Sequence, residues 1–333
     1  MPNTIPETMR AVLLEANGLL TVGQIPTPLP AAEQVLIRMA ASPINPSDLG
    51  FLKGYYSSQK SFPIVPGFEG SGTVIAAGSG LLPRLWLGKR VACAVSTSGG
   101  AWAEYLMTRA AQCVPLRHDL SLEQGATLII NPMTALAFFD IAKRHKHAAV
   151  VSNAAASALG RMILRLGQTY HVPVIHIVRR EEQVQLLRSI GGNYILNSSE
   201  LGFYDHLHTL SSQLRATLIL DPVAGKETRR LLDATPGGST LLSYGTLSGS
   251  RNDVTSQPPR DDGKRIEGFF LPDWLAQKNS LQVFTDMQRV QHLATRELGT
   301  TIQKRFPLSA VEEAIKTYQA NPTAGKVLLS ADS

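Results

Sequence analysis

Between an apolar stretch ending at Ser152 and a helix-like segment carrying Leu159, Met162, Ile163 and Leu166 lies the run Asn153-Ala154-Ala155-Ala156-Ser157-Ala158-Leu159-Gly160. Small side chains let a backbone come close to a phosphate, and the free amides and positive dipole end of the helix that follows favour its charge. Only Gly160 is a glycine, so the turn by itself serves equally as the close-packed corner of any strand–helix unit. About 20 residues further on, where a free ribose 2′-hydroxyl calls for Asp or Glu, the chain has Arg179-Arg180. Two forked guanidinium groups suit a 2′-phosphate, which favours NADPH over NADH. The other role open to the arginines is surface pairing with Glu181 and Glu182.

Metal and thiol chemistry find little support. Cys93 and Cys113 are the only cysteines, neither in a CxxC pair, which rules out a four-thiolate zinc cluster and leaves one disulfide as the sole pairing open. His145 and His147 are two apart on a helix-like segment and so face different ways, and His206 and His208 flank Leu207 in a polar stretch. No metal site is expected.

The elements that must position these residues fall into two textures. Residues 10–117 are β-like, with Gly and Pro at short intervals and apolar stretches at 34–39, 72–77 and 90–95. Near residue 120 the texture changes, and 121–127 and 134–142 carry Leu, Ala and Phe at helical spacing. Strand-like and helix-like segments then alternate: 148–152, 157–170, 174–178, 181–190 and 194–196, with further strands at 216–220, 239–244 and 265–270. That alternation predicts right-handed βαβ units on a six-stranded, doubly wound parallel sheet. Residues 248–264, with Pro258-Pro259 and Asp261-Asp262-Gly263, predict a loop. Ser309 and Glu312 predict a capping box for a final helix, whose apolar face is Val311, Ala314, Ile315 and Tyr318, ahead of a strand at 326–329.

The 333 residues suit about two domains. With 44% hydrophobic and 17% charged residues the composition is that of a globular protein. The net charge of +6 is spread out, and nucleic acid is not expected as a partner. Lys143-Arg144-His145-Lys146-His147 closes a helical segment, where cations meet the favourable end of the dipole. No apolar run is long enough to span a bilayer and no export signal is visible, so a cytoplasmic location is expected.

Further motifs lie in the β-like half. Ala41-Ser42-Pro43-Ile44-Asn45-Pro46-Ser47-Asp48 is followed by Lys53-Gly54-Tyr55-Tyr56 and by Pro66-Gly67-Phe68-Glu69-Gly70-Ser71-Gly72. Together with Asn131-Pro132-Met133-Thr134-Ala135, these resemble the medium-chain dehydrogenase/reductase superfamily from Arg10 to Leu329. The zinc alcohol dehydrogenases of that superfamily have a ligand cysteine and histidine where this chain has Asn45 and Phe68, and a four-cysteine lobe that is missing here. The resemblance therefore points to the zinc-free branch, the quinone oxidoreductases and mitochondrial-type 2-enoyl thioester reductases. The run 153–160, Val178-Arg179-Arg180 and the segment 268–274 are similar to motifs of the thioester reductases.

The resemblance implies an α/β protein: a GroES-like, mostly β catalytic domain formed by residues 1–120 and 271–333, and a Rossmann NADPH-binding domain at 121–270. Tyr56 falls at the position of a catalytic tyrosine, and a phenol of ordinary pKa near 10 is a sound proton source at neutral pH. The other role open to Tyr55 or Tyr56 is to cover the loop with one wet end. Asn45 and Thr134 would touch the nicotinamide half, Ser157 and Gly160 the diphosphate, and Arg179 and Arg180 the adenosine phosphate, with Tyr244 and Phe270 lining a nicotinamide cleft between the lobes. Asn45 before Pro46 is also a natural helix N-cap. Glu69 and Lys326 match frequent family positions, but a buried ion pair or a strand-end cap explains them as well.

The implied activity is NADPH-dependent reduction of an activated C=C bond in an enoyl thioester or enal. The alternatives are quinone reduction and a non-enzymatic NADPH-binding protein. A homodimer through the sixth strand is implied too.

Overall fold

The structure, a computed structural model, describes residues 5–55, 61–95, 100–250 and 260–331. It divides into two compact units: Met1–Ile130 with Met287–Thr295 and Gly299–Ser333, and Asn131–Asp286 with Arg296–Leu298. The first unit opens with β1 (Thr8–Leu14) and β2 (Leu20–Pro26), paired antiparallel. It continues with β3 (Gln34–Pro43), α1 (Pro46–Leu52), β4 (Glu69–Ala77), α2 (Leu81–Trp86), β5 (Arg90–Ala94), β6 (Tyr105–Arg109), β7 (Cys113–Pro115) and α3 (Leu122–Ala126).

The chain then runs through α4 (Ile130–Arg144), β8 (Ala149–Ser152), α5 (Ala158–Thr169), β9 (Val174–Val178), α6 (Glu181–Ser189), β10 (Tyr194–Asn197), α7 (Phe203–Leu214), β11 (Ala216–Asp221), α8 (Lys226–Asp233), β12 (Thr240–Ser243), β13 (Arg265–Gly268), α9 (Leu271–Ala276) and α10 (Ser280–Leu293). It returns to the first unit for β14 (Ile302–Pro307), α11 (Val311–Ala320) and β15 (Lys326–Ser330).

In the first unit a seven-stranded sheet runs β14-β15-β3-β4-β5-β7, with β6 on β3. Val35, Ile37, Met39, Val74, Val91 and Leu106 pack into one apolar cluster on it. Cys93 and Cys113 are register partners across β5 and β7, and both are buried free thiols. The disulfide left open by the sequence is thus absent.

The second unit holds a six-stranded parallel sheet in the order β10-β9-β8-β11-β12-β13. Numbered from β8, that is the 3-2-1-4-5-6 order of a dinucleotide-binding sheet. One face is covered by a cluster of Val151, Ile175, Ile177, Ile219 and Leu241 with Leu207 and Leu231 of the helices. α5 buries Leu159, Met162, Ile163 and Leu166, the face its periodicity predicts. Lys143 and Arg144 lie in the last turn of α4, as the dipole argument requires.

Three expectations shift. The division falls at 130/131 and 286/287, not at 120/121 and 270/271. The reason is that α3 stays with the β unit, where Ser71 Oγ donates to the Leu122 carbonyl, while Lys278 ties the α9–α10 connection to Asp140 of α4 and to Asp286. Ser309 does not cap the last helix: it sits in a short 3-10 turn, and α11 begins after Ala310 with no side-chain cap. The helix still buries Val311, Ala314 and Tyr318, because packing of its apolar face sets it in place. Finally, Asp261, Asp262 and Gly263 form the expected turn, but Lys264 at its end is buried and donates to the Asp233 carbonyl; residues 251–259 lie outside the described residues.

His176 on β9 is buried, and its Nδ1 has no hydrogen-bond partner among the described residues. Burial pushes its imidazole down to about 4. An unfolded chain takes up that proton near pH 6.5, so the unfolded state binds more protons between about pH 6.5 and 4, and stability falls as pH drops through that window. The loss attributable to this group is up to about 3 kcal/mol. Urea midpoints measured at pH 7 and pH 4 should fall less in His176→Leu than in the wild type.

Candidate functional site

In the second unit, the candidate cofactor residues gather at the C-terminal ends of the parallel strands, where open α/β sheets bind ligands. The Asn153 side chain accepts from the Ala154 amide through Oδ1 at 2.8 Å, and Ala154 adopts a left-handed φ of 51°. Ala155 N donates to the Ile177 carbonyl, which stitches the turn to β9. Ser157 is the N-cap of α5 and its hydroxyl accepts from Gly160 N at 3.1 Å. Its own proton has no acceptor among the described residues.

Gly160 is required by sterics, since a Cβ there would lie 2.3 Å from the Ala155 carbonyl oxygen. The turn and helix therefore touch backbone to backbone. As the first two residues of α5, Ala158 and Leu159 have amides with no intrahelical acceptor. The cradle fits a diphosphate, which those amides, the Ser157 hydroxyl and the helix dipole would hold.

Arg179 and Arg180 follow the end of β9, both exposed. Among the described residues neither guanidinium has an ion-pair partner, and Glu181 hydrogen-bonds Gln185 instead. The surface-pairing role for the arginines is thus not the one adopted. Their backbone is fixed: Arg179 N donates to Gln183 Oε1, and Ser199 Oγ donates to the Arg179 carbonyl.

At the other end of the sheet, Tyr244 follows β12 and its ring lies 4.9 Å from that of Phe138 on α4. Burial, with the Asp221 carboxylate nearby, pushes its phenol up, so it stays protonated at any physiological pH. Phe138 also meets Phe269, at 4.8 Å, while the neighbouring Phe270 is 40% exposed. Thr134, one helical turn before Phe138, is buried.

In the first unit, Asn45 is the N-cap of α1 with Pro46 behind it, as its sequence suggests. Its side chain is held at both ends: Nδ2 donates to Glu69 Oε1 at 2.9 Å, and Oδ1 accepts from Lys326 Nζ. The Asp48 carboxylate accepts from the backbone amides of Asn45 and Phe68, at 2.7 and 3.1 Å. Glu69 takes two more donors, the amides of Ile129 and Ile130. All four side chains are buried.

Burial pushes the Asp48 carboxyl up to about 7 and raises that of Glu69. It lowers the Lys326 ammonium, opposed by the charges of Glu69 and Asp48. In the sequence nothing singles out Glu69 and Lys326 as site residues, and Asp48 is only part of a motif. The available signal was three charged residues inside otherwise apolar strand and helix ends, but their meeting across 24 and 281 residues of chain is a tertiary fact.

Asn45 and Phe68 stand where zinc ligands occur in related dehydrogenases, and neither fits a zinc ion. The Asn45 carboxamide is committed to Glu69 and Lys326, and Phe68 packs edge-on against Phe51 with centroids 5.3 Å apart. Among the described residues no group of three or more His, Cys, Asp or Glu side chains is arranged to hold a metal. Tyr56, the sequence candidate for proton donor, lies outside the described residues; Tyr55 ends the described stretch and its amide donates to the Gly50 carbonyl at the close of α1.

A GroES-like β unit joined to a dinucleotide-type parallel sheet defines an NAD(P)H-dependent oxidoreductase of two-domain type. The alcohol dehydrogenase GroES-like domain family matches residues 31–118, and the zinc-binding dehydrogenase family matches residues 203–329. The solved structure of a candidate NADPH:quinone reductase from Mesorhizobium loti is 32% identical with a TM-score of 0.88, covering 98% of this chain and 99% of that one. A mitochondrial enoyl-[acyl-carrier-protein] reductase of Caenorhabditis elegans is 27% identical over 279 residues, 82% of this chain and 80% of its own length. The Arabidopsis thaliana enzyme of the same name is 27% identical over 250 residues, 73% of this chain but 65% of its own length, a little under two thirds. The chain belongs to the medium-chain dehydrogenase/reductase superfamily.

Removing Lys326 tests the buried cluster. Lys326→Met leaves Glu69 and the Asn45 oxygen without their cation, an expected loss of about 3–5 kcal/mol. Adding Glu69→Gln should recover part of that loss, as a thermal-melt double-mutant cycle would show.

Proposed function

We propose that this protein is an NADPH-dependent, zinc-independent reductase of an activated carbon–carbon double bond, in a 2-enoyl thioester or another α,β-unsaturated carbonyl compound. The observation that carries the cofactor choice is the pair of exposed guanidinium groups of Arg179 and Arg180 at the end of β9, next to the phosphate cradle and without internal ion-pair partners among the described residues. The substrate class rests on the enoyl reductases among the relatives.

Bound NADPH would supply a hydride to the electron-poor β-carbon. Arg179 and Arg180 would hold the 2′-phosphate by charge-assisted bonds, and the Ala158 and Leu159 amides with Ser157 would hold the diphosphate. Thr134, Tyr244 and Phe270 would line the nicotinamide end. Tyr244 acts there as a wall and not as an acid, because its proton is held too tightly. The proton that completes the reduction comes from Tyr56, whose hydroxyl hydrogen-bonds the substrate carbonyl and offsets the charge developing on it. The Asn45–Asp48–Glu69–Lys326 cluster anchors the start of α1, the helix that leads into the segment carrying Tyr56.

A second reading is NADPH:quinone reduction, favoured by the 32% identity and near-complete coverage of the Mesorhizobium loti structure. In that case the acceptor delocalises charge itself and Tyr56 matters little. We also propose a homodimer formed through β13, the sheet's edge strand, beyond which Phe270 is exposed.

Continuous NADPH oxidation across enoyl thioesters, enals and quinones, with NADH as control, tests the reading. Turnover with enoyl thioesters is expected, and Tyr56→Phe should lower kcat at least about a hundredfold with them while sparing quinones; equal loss or no loss on both sinks the first reading. Arg179→Ser with Arg180→Ser should raise KM for NADPH at least about tenfold and leave KM for NADH unchanged. A wild-type preference for NADH would refute the 2′-phosphate assignment.

A further inference from the structure

Asp221, the last residue of β11, is fully buried. Its Oδ1 accepts from Asn153 Nδ2 at 3.0 Å and from the Val223 amide at 2.9 Å, and its Oδ2 accepts from the Thr228 hydroxyl of α8 at 2.8 Å. The backbone on either side is pinned as well: Asn153 N donates to the Leu220 carbonyl and Tyr244 N to the Asp221 carbonyl, each at 3.0 Å. One carboxylate thus joins the ends of β8 and β11 to α8.

Asn153 is a relay. With Nδ2 committed to Asp221, its carboxamide can turn only one way, so Oδ1 is presented to the Ala154 amide. Ala154 has φ of 51°, a left-handed conformation that is unfavourable for an L-residue and that glycine adopts without that penalty. An alanine turn therefore needs an external hold that a glycine turn does not. The amides that follow in the turn and in the first turn of α5 inherit their direction from this residue.

We propose that Asp221 is a positioning residue for the diphosphate cradle, acting through Asn153 to keep Ala154 left-handed and the α5 amides aimed at the cofactor. The inference rests on the cradle binding NADPH and adds the residue that shapes it.

The test is NADPH affinity by fluorescence titration of the full chain, for the wild type, Asp221→Asn, Asn153→Ala, and each combined with Ala154→Gly. Asp221→Asn and Asn153→Ala should each weaken NADPH about tenfold. Adenosine 2′,5′-bisphosphate, which has no diphosphate bridge, should bind all variants alike. Ala154→Gly supplies the left-handed conformation directly and should restore NADPH affinity to within about threefold of the wild type; a generally loosened fold would not respond in this way. Should Asp221→Asn not fold, Asn153→Ala with its glycine rescue carries the test alone. Unchanged affinity in both single variants, or failure of the glycine to rescue, overturns the inference. Failure of the wild type to bind NADPH at all instead overturns the function proposed above.

Discussion

A helix can offer its first amide groups to a phosphate only if the preceding strand and turn run against it without a side chain between. At the end of β8 that condition is met by one atom's absence, the Cβ of Gly160, whose place would be 2.3 Å from the Ala155 oxygen. The rest of the second unit serves this contact. Ala155 and Ala156 pack with Leu164 of α5 and with Val178, Val184 and Leu187 of the next strand and helix, which keeps the turn from lifting off the sheet. The same packing sets the end of β9, and with it Arg179 and Arg180, beside the cradle. Apolar burial thus supplies rigidity, and the backbone supplies the chemistry.

The first unit solves a different problem, that of placing charges where water cannot reach them. A buried carboxylate or ammonium is tolerated when its hydrogen-bonding capacity is filled. Glu69 has three donors and Asp48 two, all from Asn45, Phe68, Ile129 and Ile130, while Lys326 meets Asn45. The cluster joins the N-terminus of α1, the start of β4 and the start of β15, three places that apolar packing alone would leave free to slide. Such a knot fits a role in orientation better than one in net stability, since burial works against every charge in it.

Much of the fold was legible because it is periodic. The strands and helices around the parallel sheet follow from alternating apolar runs, and β9 begins and ends where the pattern places it. The structure departs from the pattern where pattern and packing compete. Ser309 and Glu312 have the spacing of a capping box, yet the chain spends Ser309 in a 3-10 turn so that Leu308 and Val311 can both enter the core. The unit boundaries moved because a short helix and a connecting lysine are assigned by what they touch, and their composition does not record it.

What the sequence determined by itself is the inventory of local chemistry: a run of small residues between a strand and a helix, and two guanidinium groups one strand further on. These are properties of residues close in the chain, and no folding is needed to read them. Tertiary structure alone decided which polar groups meet. The link from Asp221 to Asn153 spans 68 residues and that from Lys326 to Asn45 spans 281. The strength of such contacts depends on burial, and burial is settled only when distant segments close over them.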